Sequence, residues 1–238
     1  MDLLLVAVTA LLAATLSAIA GFSGGSLLLP VLVAVFGVHD AVPMLAVAQV
    51  IGNGARAWLN RRQVHSPVVG WFLLGAVPMA LLGGWLFSRA PAPYLTRLLG
   101  LVLIASVAAR HLKLVPDEGF PVHRFAFVGG GFSFLSALAG TVGPILIPFF
   151  LAFGLVKGAL VGTEAAATGI MHVARLTGYA AGGALGNRQV ALGLALGPLM
   201  VAGSLLGKGL LDRLPERVFI VAVEALLVAM GLYLLVRS

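Results

Sequence analysis

Leu16-Ser17-Ala18-Ile19-Ala20-Gly21-Phe22-Ser23-Gly24-Gly25-Ser26-Leu27-Leu28-Leu29-Pro30 is an apolar run broken in its middle by glycine and serine. Leu135-Ser136-Ala137-Leu138-Ala139-Gly140-Thr141-Val142-Gly143-Pro144-Ile145-Leu146-Ile147-Pro148 is broken in the same way. In each, a long apolar segment stops at a glycine, and a short apolar segment follows. The short ones cover roughly residues 26–37 and 144–155. At ~1.5 Å per residue a segment of ~12 residues reaches only ~18 Å into a ~30 Å hydrocarbon core.

Eight further apolar segments are long enough to span: roughly 3–20, 41–59, 67–87, 94–109, 124–140, 158–182, 189–211 and 217–236. The order repeats: long segment, glycine break, short segment, three long segments. Arg62-Gln63-Val64 recurs as Arg188-Gln189-Val190, and Pro93 and Pro215 each open the last segment of a half. Several anchors in one order point to an internal repeat. The sequence therefore predicts an all-α, polytopic transmembrane bundle of two homologous halves, residues 1–112 and 124–238. Residues 113–123, with Pro116-Asp117-Glu118-Gly119, connect them.

Composition supports lipid as the solvent. Apolar residues make up 61% of the 238 and charged residues 10%, against about a quarter charged in soluble domains. The 31 glycines suit close helix packing in membranes. The net charge of +7 lies mostly between apolar runs, as in membrane-protein loops, so nucleic acid is not an expected partner. There is no cysteine, which excludes disulfides, thiolate catalysis and cysteine-ligated metals. The start, Met1-Asp2-Leu3, lacks the basic region of a secretory signal, so residues 3–20 read as a retained helix.

Loop charges bear on orientation. With an even number of crossings per half they divide seven to six. With an odd number, nine fall on one side (Arg61, Arg62, Arg110, Lys113, Arg124, Lys157, Lys208, Arg213, Arg217) and four on the other (Arg89, Arg97, Arg188, Arg237). The positive-inside rule prefers the second division, which makes the halves an inverted repeat with both termini outside the cytoplasm.

The breaks have a chemical use. The first N–H groups of a helix lack intrahelical acceptors and, with the helix dipole, form a site for an anion. Irregular backbone at membrane depth survives only inside protein or against a cavity. Two matched breaks mark the central site of a transporter; the competing explanation is glycine used for packing alone. Ser23, Gly24, Gly25, Ser26, Thr141 and Gly143 are the candidate substrate contacts there.

The helix after each short segment carries polar residues at steps of three and four, hence on one face: Gln49, Asn53 and Arg56, then Glu164, Thr168, His172 and Arg175. Ionisable groups at such depth face the bundle interior. Gln49, Asn53, Arg56, Thr168 and Arg175 are candidate substrate contacts, the two arginines as charge complements. Glu164 and His172 are candidate proton carriers. The alternatives are an ion pair that only ties helices together and, for Arg56, snorkelling to the interface. Glu224 is a further intramembrane acid without polar company in sequence. His39-Asp40 and Lys157 read as turn residues after the short helices, and Trp58, Trp71 and Trp85 as interfacial. His65, His111 and His123 lack metal-ligand spacing, and no nucleotide-binding motif is present. No metal and no cofactor are expected.

These residues bring a resemblance into view. The chain resembles the sulfite exporter TauE/SafE family, also called the four-toluene sulfonate uptake permease family, over nearly its whole length. The strongest anchors are Ala20 to Pro30 and Ala139 to Pro148, supported by Val161-Gly162-Thr163 and Asp212-Arg213-Leu214-Pro215-Glu216-Arg217. The family's fuller glycine run is reduced at the second break to Gly140 and Gly143, and Glu164 stands where a small polar residue is common. The resemblance implies a multi-pass carrier of the bacterial inner membrane for sulfite, sulfoacetate or other organosulfonates. The expected partners are this small anion and the lipid bilayer, with a homo-oligomer compatible. Proton coupling is expected. The alternatives are an uncoupled facilitator for another oxyanion or a carboxylate, and a membrane assembly or sensor subunit. No catalytic cluster points to an enzyme.

Overall fold

The structure, a computed structural model, describes residues 2–20, 25–111, 119–210 and 227–236. The described residues are helical apart from short connections. The helices are α1 (Asp2–Ala20), α2 (Gly25–Phe36), α3 (Val38–Leu59), α4 (Ser66–Phe87), α5 (Ala92–His111), α6 (Phe125–Ala139), α7 (Gly143–Ala152), α8 (Lys157–Gly182) and α9 (Asn187–Leu210). A further helix, α10, covers Leu227–Val236. Single 3-10 turns at Arg61–Gln63 and Val122–Arg124 precede α4 and α6.

The segments read from sequence shift by a few residues. One change has consequences: His39 and Asp40 belong to the first turn of α3, and Lys157 opens α8. The short helices therefore run almost directly into the long polar ones. Ser23, Gly24, Glu224 and Pro215 lie outside the described residues.

Contacts define two ends of the bundle. At end I the backbone N–H of Phe120 donates to the Ala152 carbonyl at 3.1 Å, and that of His65 to Thr163 Oγ1 at 2.9 Å. The rings of His65 and Phe153 meet there, with centroids 5.0 Å apart. At end II Asp40 accepts from Arg188 at 2.9 Å and from Gln189 at 2.8 Å, and His39 stacks edge-on against Phe87. Helices α4 and α8 thus run from end I to end II, and α3 runs the opposite way. The 22 residues of α4 reach about 33 Å, close to the hydrocarbon thickness of a bilayer. Exposed Trp58 under Arg61 and Trp85 under Arg89, with guanidinium-to-ring distances of 4.5 and 3.6 Å, lie near opposite ends, where aromatic rings favour the membrane interface.

Helices α6 and α7 are two arms of one hairpin. The start of α6 and the end of α7 meet at end I, where Phe125 contacts both Phe120 and Phe153. The stretch read from sequence as a span at 124–140 is therefore followed by a return to the end it came from. Four described stretches are long and apolar enough to cross a membrane: Ser66–Phe87, Ala92–Ala109, Val122–Ala139 and Asn187–Gly207. Helices α3 and α8 are as long but carry the buried polar face described below, which lowers their hydropathy.

Helix α4 packs along α6 and α8, α1 along α9, and α3 between α8 and α9. The first helix of each sequence half thus lies against the other half. Close backbone approach makes this possible. A Cβ added at Gly84 on α4 would stand 2.6 Å from the Arg175 carbonyl oxygen and 3.1 Å from Gly178 Cα. That approach seats α8 tightly against α4 at the depth of Arg175.

Candidate functional site

Helix α6 ends at Gly140, whose φ of 81° lies in the left-handed region that glycine tolerates. Two further residues of irregular backbone, Thr141 and Val142, follow before α7 begins. Val142 precedes α7 without any side-chain cap, and Pro144 in its first turn has no N–H to satisfy. The first turn of α2 faces this break. Ser26 Oγ and Thr141 Oγ1 share a hydrogen bond of 3.0 Å, and both residues are buried. The N-terminal ends of the two short helices therefore lie close together in the bundle.

Helix α8 supplies the polar face. Arg175 is fully buried, and its Nη1 donates to Ser136 O at 3.0 Å, Ser136 Oγ at 3.0 Å and Gly140 O at 3.1 Å. It thus caps the C-terminal carbonyls of α6, where the helix dipole favours a cation. One turn further, Tyr179 donates its hydroxyl to Ala137 O at 2.7 Å. These two residues hold the tip of the hairpin in place.

Helix α3 meets this face. Asn53 Nδ2 donates to Thr168 Oγ1 at 3.1 Å. Thr168 Oγ1 in turn lies 2.8 Å from Glu164 O and 3.3 Å from Glu164 Oε1. Arg56 donates to Asn53 Oδ1, and its Nη2 stands 3.8 Å from Glu164 Oε2. Arg56 is only 3% exposed, so it lies inside the protein and does not snorkel.

Between these groups lies a small cavity. It has room for about one or two waters. Its polar wall is Gln49, Ser136, Thr141, Glu164, Thr168 and His172, joined by backbone from Gly140 to Gly143. Phe72, Phe132, Leu146 and Met171 form the apolar wall. Gln49 Nε2, both ring nitrogens of His172 and Glu164 Oε2 are buried without a hydrogen-bond partner. Buried polar atoms are nearly always paired, so a cluster of orphans on one cavity wall marks a place for a ligand. Gln49 and His172 can offer N–H donors, and the α7 end adds positive backbone dipole. The set suits an oxyanion.

Of the residues singled out in sequence, Gln49, Thr141, Gly143, Glu164, Thr168 and His172 line the cavity. Asn53, Arg56 and Arg175 stand behind them as a second layer, and Gly25 and Ser26 support the break from α2. Sequence reading missed Ser136, Tyr179 and the apolar wall. Ser136 could have been found, since it is a polar residue inside the repeated Leu-Ser-Ala motif. Tyr179 lies one turn beyond Arg175 on the same face.

The apolar helix bundle and its family comparison define a membrane transport protein. The sulfite exporter TauE/SafE family model matches residues 6–234, and the chain belongs to that family. Comparisons with curated proteins and with solved structures gave no match. The family is one of membrane transporters.

Proposed function

We propose that the chain is a secondary carrier for small sulfur-containing anions (sulfite, sulfoacetate or other organosulfonates) across the bacterial inner membrane, coupled to protons. The observation that carries this reading is the cavity at the 140–143 break, with its unpartnered Gln49 and His172 nitrogens. The sulfonate or sulfite oxygens would accept from those donors and lie at the positive end of α7. The buried Arg56 and Arg175 supply positive potential from behind, where low dielectric strengthens it. The small cavity favours compact head groups over an aromatic sulfonate.

The orientation follows from charge. End I carries exposed Arg61, Arg62, Arg124 and Lys157, and end II carries Arg89, Arg97 and Arg188. Together with the nine-to-four division in sequence, this supports end I as the cytoplasmic end and the two halves as an inverted repeat. The return of the α6–α7 hairpin to end I supports an odd number of crossings, as this division requires.

The test is flux of labelled sulfite and of one organosulfonate into liposomes holding the purified protein, with and without an imposed pH gradient. Flux that rises with the gradient is the expected outcome. Flux of either anion that ignores the gradient would replace the coupled carrier by an uncoupled facilitator. No flux of either anion by folded protein would refute the sulfur-anion assignment.

A further inference from the structure

Glu164 has no counterpart in the other half. Gln49, Asn53 and Arg56 precede Thr168, His172 and Arg175 by 119 residues each, the step that also separates Leu16-Ser17-Ala18 from Leu135-Ser136-Ala137. The same step leads from Glu164 back to Leu45, a fully buried apolar residue. It also turns the Asn53–Thr168 hydrogen bond into a Gln49–His172 pair. That second bond is not made: Gln49 Nε2 and both His172 nitrogens are without partners, and both residues line the cavity. One of two related places is closed by an internal hydrogen bond and a carboxylate, and the other is open.

We propose that Glu164 is a tethered anion that holds Arg56 while the cavity has no substrate. An incoming anion displaces it, and the released carboxylate then takes a proton from water. The inference rests on the reading of the cavity as an anion site. Glu164 itself lines the cavity, so its carboxylate and the substrate compete for the same positive potential. The Arg56–Glu164 contact is long, at 3.8 Å, and Oε2 has no hydrogen bond. Coulomb attraction to Arg56 and one 3.3 Å hydrogen bond from Thr168 to Oε1 hold it there, and a second anion can take the attraction over.

The other charged groups near Glu164 leave it as the acceptor of the proton. Arg56 comes from α3, and His172 and Arg175 lie on α8 itself. The cavity-lining side chains from α4, α6 and α7 (Phe72, Phe132, Ser136 and Leu146) carry no charge. A proton on His172 would stand one turn from the Arg175 guanidinium, a like-charge pair on a helix. His172 therefore serves the anion as a neutral donor. Binding of anion and proton is then reciprocal, each raising the affinity for the other by the same factor. The two are bound together and released together, so they move in the same direction.

The probe is methanesulfonate, which stays a monoanion throughout the pH range used, so any proton taken up belongs to the protein. Purified protein in weakly buffered detergent solution is mixed with methanesulfonate, proton uptake is read with a pH electrode, and binding is read by calorimetry. We expect uptake approaching about one proton per bound anion, and affinity that weakens by up to about tenfold per pH unit as pH rises, the limit for one linked proton. Glu164→Gln should bind without proton uptake and with a flat pH profile, while His172→Gln, which loses a donor and binds more weakly, keeps the uptake per bound anion. Proton release on binding, or wild-type binding with no uptake, would overturn the tethered-anion mechanism and leave the anion site standing. Failure of folded protein to bind methanesulfonate, sulfite or sulfoacetate at any pH would overturn both.

Discussion

Arg56 on α3 and Arg175 on α8 occupy matched places in the two sequence halves, yet they are held in opposite ways. Arg175 is fastened to the backbone, with Nη1 on Ser136 O and Gly140 O and on the Ser136 hydroxyl. Arg56 faces side chains, Asn53 and the Glu164 carboxylate. Backbone carbonyls cannot be titrated or moved aside without unwinding α6, whereas a carboxylate can be neutralised. The same residue type thus serves as a fixed brace in one helix and as part of a switchable pair in the other. Neither arginine lines the cavity. Both act on it through charge at short range.

The largest effect should come from removing the brace. In Arg175→Ala, Gly140 O loses its charged donor in a buried setting, and Ser136 O is left with the Gly140 N–H alone. Each buried group left unsatisfied costs about 1–3 kcal/mol, against total stabilities of about 5–15 kcal/mol for typical domains. Arg175→Ala should give little monodisperse protein in detergent size-exclusion chromatography, and Arg175→Lys should recover part of it. A well-folded Arg175→Ala with normal melting would break the distinction between the arginines.

Removing the switchable arginine should also destabilise the protein, but here the loss should be reversible in a defined way. Arg56→Ala leaves Glu164 buried without its cation, which typically costs about 3–5 kcal/mol. Adding Glu164→Gln removes the stranded charge, so the double variant should melt well above Arg56→Ala alone. The penalty exists only while Glu164 is ionised, so lowering the pH should also narrow the gap between Arg56→Ala and wild type. If the double variant is no better than the single one, the two residues are not an energetic pair.

Gly143→Leu addresses the site without touching either arginine. Gly143 lines the cavity at the start of α7, and a leucine there would fill the space for the anion. Flux in liposomes should fall to background while chromatographic behaviour stays close to wild type. Normal flux by this variant would remove the anion from the α7 terminus.

Much of this arrangement could be read before any coordinates. The glycine breaks stood out because small residues interrupt otherwise continuous apolar text, and the polar faces of α3 and α8 because ionisable groups are costly in lipid. Helical spacing placed Glu164, Thr168, His172 and Arg175 together, and they are together. The division of labour was not legible. Whether Arg175 meets a substrate or a helix end depends on how far α6 reaches before Gly140, which is set by packing between helices distant in sequence. The hairpin return of α7 was legible only through the charge division that puts Arg124 and Lys157 on one side, since the apolar text of α6 and α7 looks the same whether the chain goes on or turns back. The apolar wall of Phe72, Phe132, Leu146 and Met171 carries no polar signal at all.

The smallest expected effect separates two amides on the same face of α3. Asn53 makes its bonds inside the protein, to Thr168 and from Arg56, whereas Gln49 Nε2 has no partner and faces the cavity. Asn53→Leu should lower the melting temperature, because it strands groups that were paired. Gln49→Leu should leave melting unchanged or slightly raised, because a buried donor without a partner contributes nothing to the empty protein. Its cost should fall on the anion instead, about tenfold in affinity, equivalent to about 1.4 kcal/mol, with the pH slope intact because Glu164 is untouched. Equilibrium binding of methanesulfonate and a thermal melt of both variants measure the two quantities. If Gln49→Leu destabilises the protein and leaves affinity unchanged, then Gln49 is a packing residue and the cavity loses one of its donors.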